Sequence, residues 1–217
     1  MADPIEMRPR DVLTFKLPAE SWGSNMARAT VRWGDDITPV RLWKYREVPY
    51  QLAKFNDLAI RRRMLEAYAR LEQREPGAGP YAVKKIASEK ALEPHARPDW
   101  NQGFKITHMR ALLHDAFERD RALAAVLVGT GDGYLQEGNT WADVFWGVAL
   151  VANARRGVRA GEGLNTLGRL LMEERNIQRV AFGLEPIPVP TALVYPHDGA
   201  EWQAAIDAAF GRYKARG

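Results

Sequence analysis

Within the stretch Arg46-Glu47-Val48-Pro49-Tyr50-Gln51-Leu52-Ala53-Lys54-Phe55, the spacing of Glu47, Gln51 and Lys54 is that of one stripe along a helix. A carboxylate, an amide and an amine sharing a rigid surface beside the phenol ring of Tyr50 can stabilise charge. They can also supply an acid or a nucleophile. Two neighbouring features bear on the same chemistry. Trp100, Trp141 and Trp146 lie outside the strongly periodic helical stretches and next to Asp99, Asn139 and Asp143. Such indoles either pack the core or form stacking walls for a planar base. Positive residues are also bunched, as in Arg61-Arg62-Arg63, Lys84-Lys85 and Arg155-Arg156. Bunches of this kind suit a phosphate-rich ligand or nucleic acid if they border a cleft, and otherwise mark solvated helix faces.

The chemistry that the residue inventory excludes narrows the choice. With no cysteine among 217 residues, disulfides, iron–sulfur clusters and thiolate nucleophiles are ruled out. His95, His108, His114 and His197 are scattered and form no pair of the kind that zinc hydrolases carry. A metal site is not expected. Gly129-Thr130-Gly131-Asp132-Gly133 superficially resembles a dinucleotide-binding turn, but its third glycine is misplaced and the residues before it read as helix. There is neither a Gly-x-Ser-x-Gly elbow nor a phosphate-loop lysine pattern. Carboxylate and amine chemistry is what remains.

These residues need elements to hold them. Val12 to Phe15 and Ala29 to Trp33 read as short strands set off by glycine and proline. The period becomes helical from about Leu42, predicting one or two helices over residues 46 to 73, with Pro49 tolerated in a first turn. Further helices are expected from Ala82 to Lys90, after a cap near Asp99, from Arg119 to Val128, from Leu164 to Ile177, and from Ala200 to Lys214 after a proline-rich linker. The fold class is therefore α+β, mainly helical, with a few short N-terminal strands. One domain is expected over residues 1–180, with 181–217 as an extension that packs back on the core or on a second copy. The opening Met1 to Glu6 has no basic flank followed by an apolar core, and no apolar run approaches the roughly 20 residues of a membrane span, so a soluble, cytoplasmic protein is expected.

Read in order, several blocks resemble the NADAR (NAD- and ADP-ribose-associated, or YbiA-like) family. The Arg46 to Phe55 stretch resembles that family's Ser-Glu-His-x-x-Gln-Ala-x-Lys-Phe segment. Later blocks are similar at Arg97-Pro98-Asp99-Trp100 with Lys105 and Met109, at Leu127 to Asp132 with Leu135 and Glu137, at Asp143-Val144-Phe145-Trp146-Gly147, and at Gly163 to Arg175. The likeness covers roughly residues 20 to 178. Val48 departs from it, standing where the family usually has histidine. Ser24-Asn25-Met26 matches only loosely, and the stretch from Val148 to Glu162 is longer than the family's usual link.

The resemblance implies cleavage of an N-glycosidic bond, removing ADP-ribose from modified guanine or hydrolysing ribosylated intermediates of riboflavin synthesis. In that scheme Glu47 stabilises positive charge at the sugar C1. Asp143, or a water it positions, protonates the leaving base. Lys54, or else Lys105, acts as an amine nucleophile on an opened ribose. Trp100 and Trp146 hold the planar base, and Lys84, Arg97 and Lys105 meet the diphosphate. Tyr50, Gln51 and Asn165 complete the implied binding set. The partner would be an ADP-ribose-containing small molecule or an ADP-ribosylated nucleic acid, no cofactor or metal is required, and a homodimer is compatible. A binding module for ADP-ribose or NAD without hydrolysis is the first alternative. A nucleic-acid-binding protein working through Arg61 to Arg63 is the second.

Overall fold

Residues 22–189 are described by a computed structural model, together with the backbone of three short strands, Ile5–Glu6 (β1), Val12–Lys16 (β2) and Leu193–Val194 (β7). The fold is α+β and mainly helical. The expected helix from Ala200 to Lys214 lies outside the described residues. Contacts divide the chain into two compact units. One is continuous, Pro18–Ala124, and the other is split in sequence, combining Met1–Leu17 with Ala125–Gly217.

In the continuous unit, the alternation of Arg28–Trp33 (β3) buries Ala29 and Val31 and leaves Arg28, Thr30 and Arg32 exposed. This is the period-two signature of a half-buried strand. It pairs antiparallel with Arg41–Tyr45 (β4), a stretch whose apolar spacing had suggested the onset of helix. Trp43 and Tyr45 face inward instead. Helix follows in two pieces, Glu47–Leu52 (α1) and Leu58–Arg74 (α2). Asp57 caps α2 by accepting from the Ile60 N–H at 3.0 Å. Gly79–Ala87 (α3) and Phe104–Arg119 (α4) complete this unit's main helices. Its core gathers Val31, Leu52, Phe55, Met64, Val83 and Met109.

Asp99 does not cap α4. Gly103, at φ 116°, occupies that position, and the Asp99 carboxylate instead pairs with Arg97 at 2.6 Å. A left-handed backbone is open to glycine at little cost, so the chain turns there without a polar cap.

The division between units falls within Arg121–Val128 (α5). In the split unit, β2, Tyr134–Asn139 (β5) and Val148–Ala149 (β6) form a parallel sheet in the order β2-β5-β6. Thr166–Ala181 (α6) packs on β5. Leu167, Leu170 and Leu171 point inward, as their spacing predicts. β1 pairs parallel with β7. Among the described residues no helix is long and apolar enough to cross a membrane.

Candidate functional site

The short helix α1 is buried along its whole length. Pro49 fits because it lies in the first turn, where its missing N–H would have no helical partner. The helix is anchored at its start by Arg46, whose Nη2 donates to the carbonyls of Trp22 (3.0 Å) and Ser24 (2.8 Å). The Glu47 N–H donates to the Asn25 carbonyl at 3.1 Å, so the loop through Ser24-Asn25-Met26 is tied to the entry of α1. Burial brings the Arg46 guanidinium down to about 10.

Glu47 is only 4% exposed, and its Oε1 accepts from Gln51 Nε2 at 2.8 Å, as the one-turn spacing predicts. It forms no ion pair among the described residues. Lys54 does not share the stripe. The helix ends at Leu52, and Lys54 Nζ turns to the last carbonyl of α3, that of Ala87, at 2.7 Å. A cation there satisfies an unpaired carbonyl and the negative end of the helix. Burial holds the Lys54 amine below its ordinary value, with Lys105 lowering it further and Glu93 opposing.

Aromatic rings pack around Tyr50 of α1. Tyr50 lies 5.0 Å from Trp100 between ring centroids, and His108 stacks between Tyr50 (6.4 Å) and Phe104 (5.4 Å). The guanidinium of Arg97 lies 3.3 Å from the Phe104 centroid while pairing with Asp99. Because a carbonyl can only accept, the contact of His108 Nε2 with the Pro49 oxygen, at 3.3 Å, places the ring proton on Nε2. Burial brings this imidazole down to about 4. In the sequence His108 is one of four scattered histidines. Its position four residues after Phe104 and four before the buried Leu112 is the signal that places it on the inward face of α4.

The continuous unit therefore holds Glu47, Tyr50, Gln51, Lys54, Lys84, Arg97, Trp100 and Lys105. Lys84 is half-buried on α3, which packs against α1, and Lys105 donates to Asn101 Oδ1 at 3.1 Å. Asp143, Trp146 and Asn165 belong to the split unit, where two of them have evident local work. Asp143 Oδ1 accepts from the N–H groups of Phe145 (3.1 Å) and Trp146 (3.0 Å), closing a tight turn. Asn165, at φ 50°, accepts from the Glu137 N–H (2.9 Å) and donates to the Leu135 carbonyl and the Tyr134 hydroxyl, both at 2.8 Å. Its amide joins β5 much as a strand residue would. Trp146 is half-buried, edge-on to Phe145.

Of the run from Arg61 to Arg63, Arg62 and Arg63 are exposed and Arg61 is buried. Arg61 is 1% exposed, with Nη1 and Nη2 on Asp35 at 2.7 and 2.8 Å and Nε on the Phe55 carbonyl at 2.6 Å. Arg63 makes two bonds to Glu89, at 2.8 and 2.6 Å. A cavity of about 700 Å³ lined by Thr30, Leu42, Glu118, Arg119, Asp120 and Arg121 contains none of the candidate residues. Among the described residues no group of three or more histidine, aspartate or glutamate side chains is placed to hold a metal ion.

This helix-rich α+β architecture is that of a solved protein, YbiA of E. coli, whose NMR structure superposes with a TM-score of 0.55 at 24% sequence identity, covering 79% of this chain and 86% of that one. At that identity the likeness concerns the fold. The NADAR domain profile matches residues 15–178, and the chain belongs to the NADAR domain family. No curated protein matches the chain.

Proposed function

We propose that this protein is a metal-independent N-glycosidase that cleaves the ribose–base bond of an ADP-ribosylated guanine. The observation that carries the reading is the carboxylate of Glu47, buried, oriented by Gln51 and without an ion-pair partner among the described residues. Burying such a charge without a cation is costly for folding. The arrangement suits a site where positive charge appears only during reaction.

As the bond from C1 to nitrogen lengthens, charge builds on the sugar, and a fixed carboxylate stabilises that state more than the neutral ground state. A water oxygen then bonds to C1 while the glycosidic electron pair stays on nitrogen. One proton of that water ends on the departing base. Tyr50 and Trp100, both buried with ring centroids 5.0 Å apart, supply aromatic packing in the unit that carries Glu47, and Lys54 and Lys105 offer positive charge toward phosphate. Lys54, with its lowered proton affinity, also suits attack on an opened ribose, which requires it to leave the Ala87 carbonyl. With Asp143 Oδ1 engaged by two N–H groups, protonation of the base is better assigned to water than to Asp143 itself.

The test is release of free base, followed by mass, from ADP-ribosylated guanosine, a modified oligonucleotide and a ribosylaminopyrimidine. We expect guanine derivatives to be cleaved and Glu47→Gln to lose about 100-fold to 1,000-fold in kcat, the scale of removing one stabilising charge contact. Undiminished turnover in a folded Glu47→Gln variant overturns the assignment. A second reading, binding without hydrolysis, is favoured by Val48, which is buried as a core residue where the family has histidine. Tight ADP-ribose binding with no base released from any substrate supports it.

A further inference from the structure

The split unit carries a short closed turn that bears the Arg155-Arg156 pair. Asn153 and Val158 exchange two backbone hydrogen bonds, at 2.8 and 3.1 Å, and the turn between them closes through Gly157 at φ 64°. Asn153 Oδ1 accepts from the Arg156 N–H at 3.3 Å. At its base, the Gly161 N–H donates to the Ala149 carbonyl (2.8 Å) and the Ala149 N–H to the Glu162 carbonyl (2.9 Å), fastening the segment to β6. This ordered backbone displays Arg155, Arg156 and Arg159, all exposed and without an ion-pair partner among the described residues. The acid closest in sequence, Glu162, uses its Oε2 to accept from the Arg159 N–H at 3.0 Å.

Arg156 Nη1 also donates to the Trp141 carbonyl at 3.2 Å, which ties the turn to an indole that is 38% exposed. That tryptophan precedes Ala142, whose φ of 60° is uncommon for a residue with a Cβ. The chain thus accepts an unfavourable backbone at the point where a large ring is left partly in water. Cations spaced along a rigid turn beside an exposed ring match two requirements of an unpaired polynucleotide. Phosphates are met by arginine, and a base is met by a π-face.

We propose that the turn from Asn153 to Val158, the adjoining Arg159 and Trp141 form a contact surface for single-stranded nucleic acid. This deepens the glycosidase reading, and rests on it, only in naming the molecule that would carry the modified base. The binding itself is measurable without turnover. Fluorescein-labelled single strands of about 12 nucleotides, within the span such surfaces cover, would be titrated into the full chain by anisotropy over a range of salt. DNA and RNA of the same sequence form separate arms. We expect binding that weakens with salt. Replacing Arg155→Glu together with Arg159→Glu, which spares the Arg156 bond, should weaken binding about tenfold or more at low salt and flatten the log–log salt slope by roughly 1.4, from two lost phosphate contacts.

Trp141→Leu should weaken binding at least about fivefold and remove a quench of indole fluorescence seen on binding, which assigns that signal among the seven tryptophans. Unchanged binding by the double variant, no binding by the wild type at low salt, tighter binding of duplex than single strand, or equal competition by polyglutamate would each overturn the proposal. Predicted strand binding with no base released would leave this surface standing and remove the glycosidase. Turnover of free ADP-ribosylated guanosine by wild type and double variant alike, with oligonucleotide binding also alike, would do the reverse.

Discussion

His108 shows how one side chain can tie the buried helix α1 to the chemistry of the solvent. It is buried, stacked between Tyr50 and Phe104, and bonded to the Pro49 carbonyl of α1. Burial is the largest cause of its lowered proton affinity. Arg97 and Arg61 lower it further, whereas the Pro49 bond and Asp35 oppose. The folded chain takes up this proton near pH 4 and the unfolded chain near 6.5. Between those values the unfolded state binds more protons, so stability falls as pH drops through the window and is untouched by this group above it. The loss amounts to about 3 kcal/mol across the window. His108→Gln keeps a donor for Pro49 but does not titrate. Urea unfolding at pH 7 and pH 4 should therefore show a pH-dependent loss smaller by about that amount in the variant, and equal losses would show that His108 is not the cause. The residue scale was also where the sequence misled most. Arg61 reads as one of three basic surface residues, yet Asp35 captures it, with burial raising the Asp35 carboxyl and the Arg61 and backbone hydrogen bonds outweighing that rise. A partner so distant in the chain leaves no local trace.

At the scale of elements, α6 meets β5 through contacts that admit little change. A Cβ at Gly168 would sit 2.2 Å from the Leu135 carbonyl oxygen, so helix and strand approach backbone to backbone. Asn165 spans the same junction with its amide. Asn165→Ala strands the Glu137 N–H and the Leu135 carbonyl and keeps a left-handed backbone that alanine resists. We expect a destabilisation of about 3 kcal/mol or more, read by denaturant unfolding. A loss below about 1 kcal/mol would mean that β5 finds other partners. Helix α6 was legible from its leucines, and α2, α3, α4 and α5 from their period and breakers. The strands β4 and β5 were not. Trp43 and Tyr45 alternate over too few residues to stand out from the helix that follows, and β5 is buried on both sides, which erases alternation altogether. The stripe of Glu47, Gln51 and Lys54 was half right for a related reason. The helix stops two residues before Lys54, and α3 supplies the carbonyl that draws Lys54 aside.

For the molecule as a whole, the parallel pairing of β2 with β5 joins the beginning of the chain to its second half, register running from Val12 opposite Tyr134 to Lys16 opposite Gly138. Removing residues 1–17 would open that edge of β5 to solvent. An uncovered edge offers its N–H and C=O groups to other chains. We expect the shortened protein to unfold at lower denaturant and to aggregate in a concentration-dependent way by light scattering. A monomeric product of unchanged stability would show that β2 is dispensable. Composition and motif order together made the fold class legible, whereas the division into two units was not. It depends on pairings between segments far apart in sequence, and those leave no mark on any single stretch of residues. The same interrupted arrangement governs how the protein must be made. On the ribosome β2 emerges before β5 and cannot join it until the entire Pro18–Ala124 unit has been synthesised. The continuous unit is thus free to fold early, while β2 waits for a partner delivered later in translation.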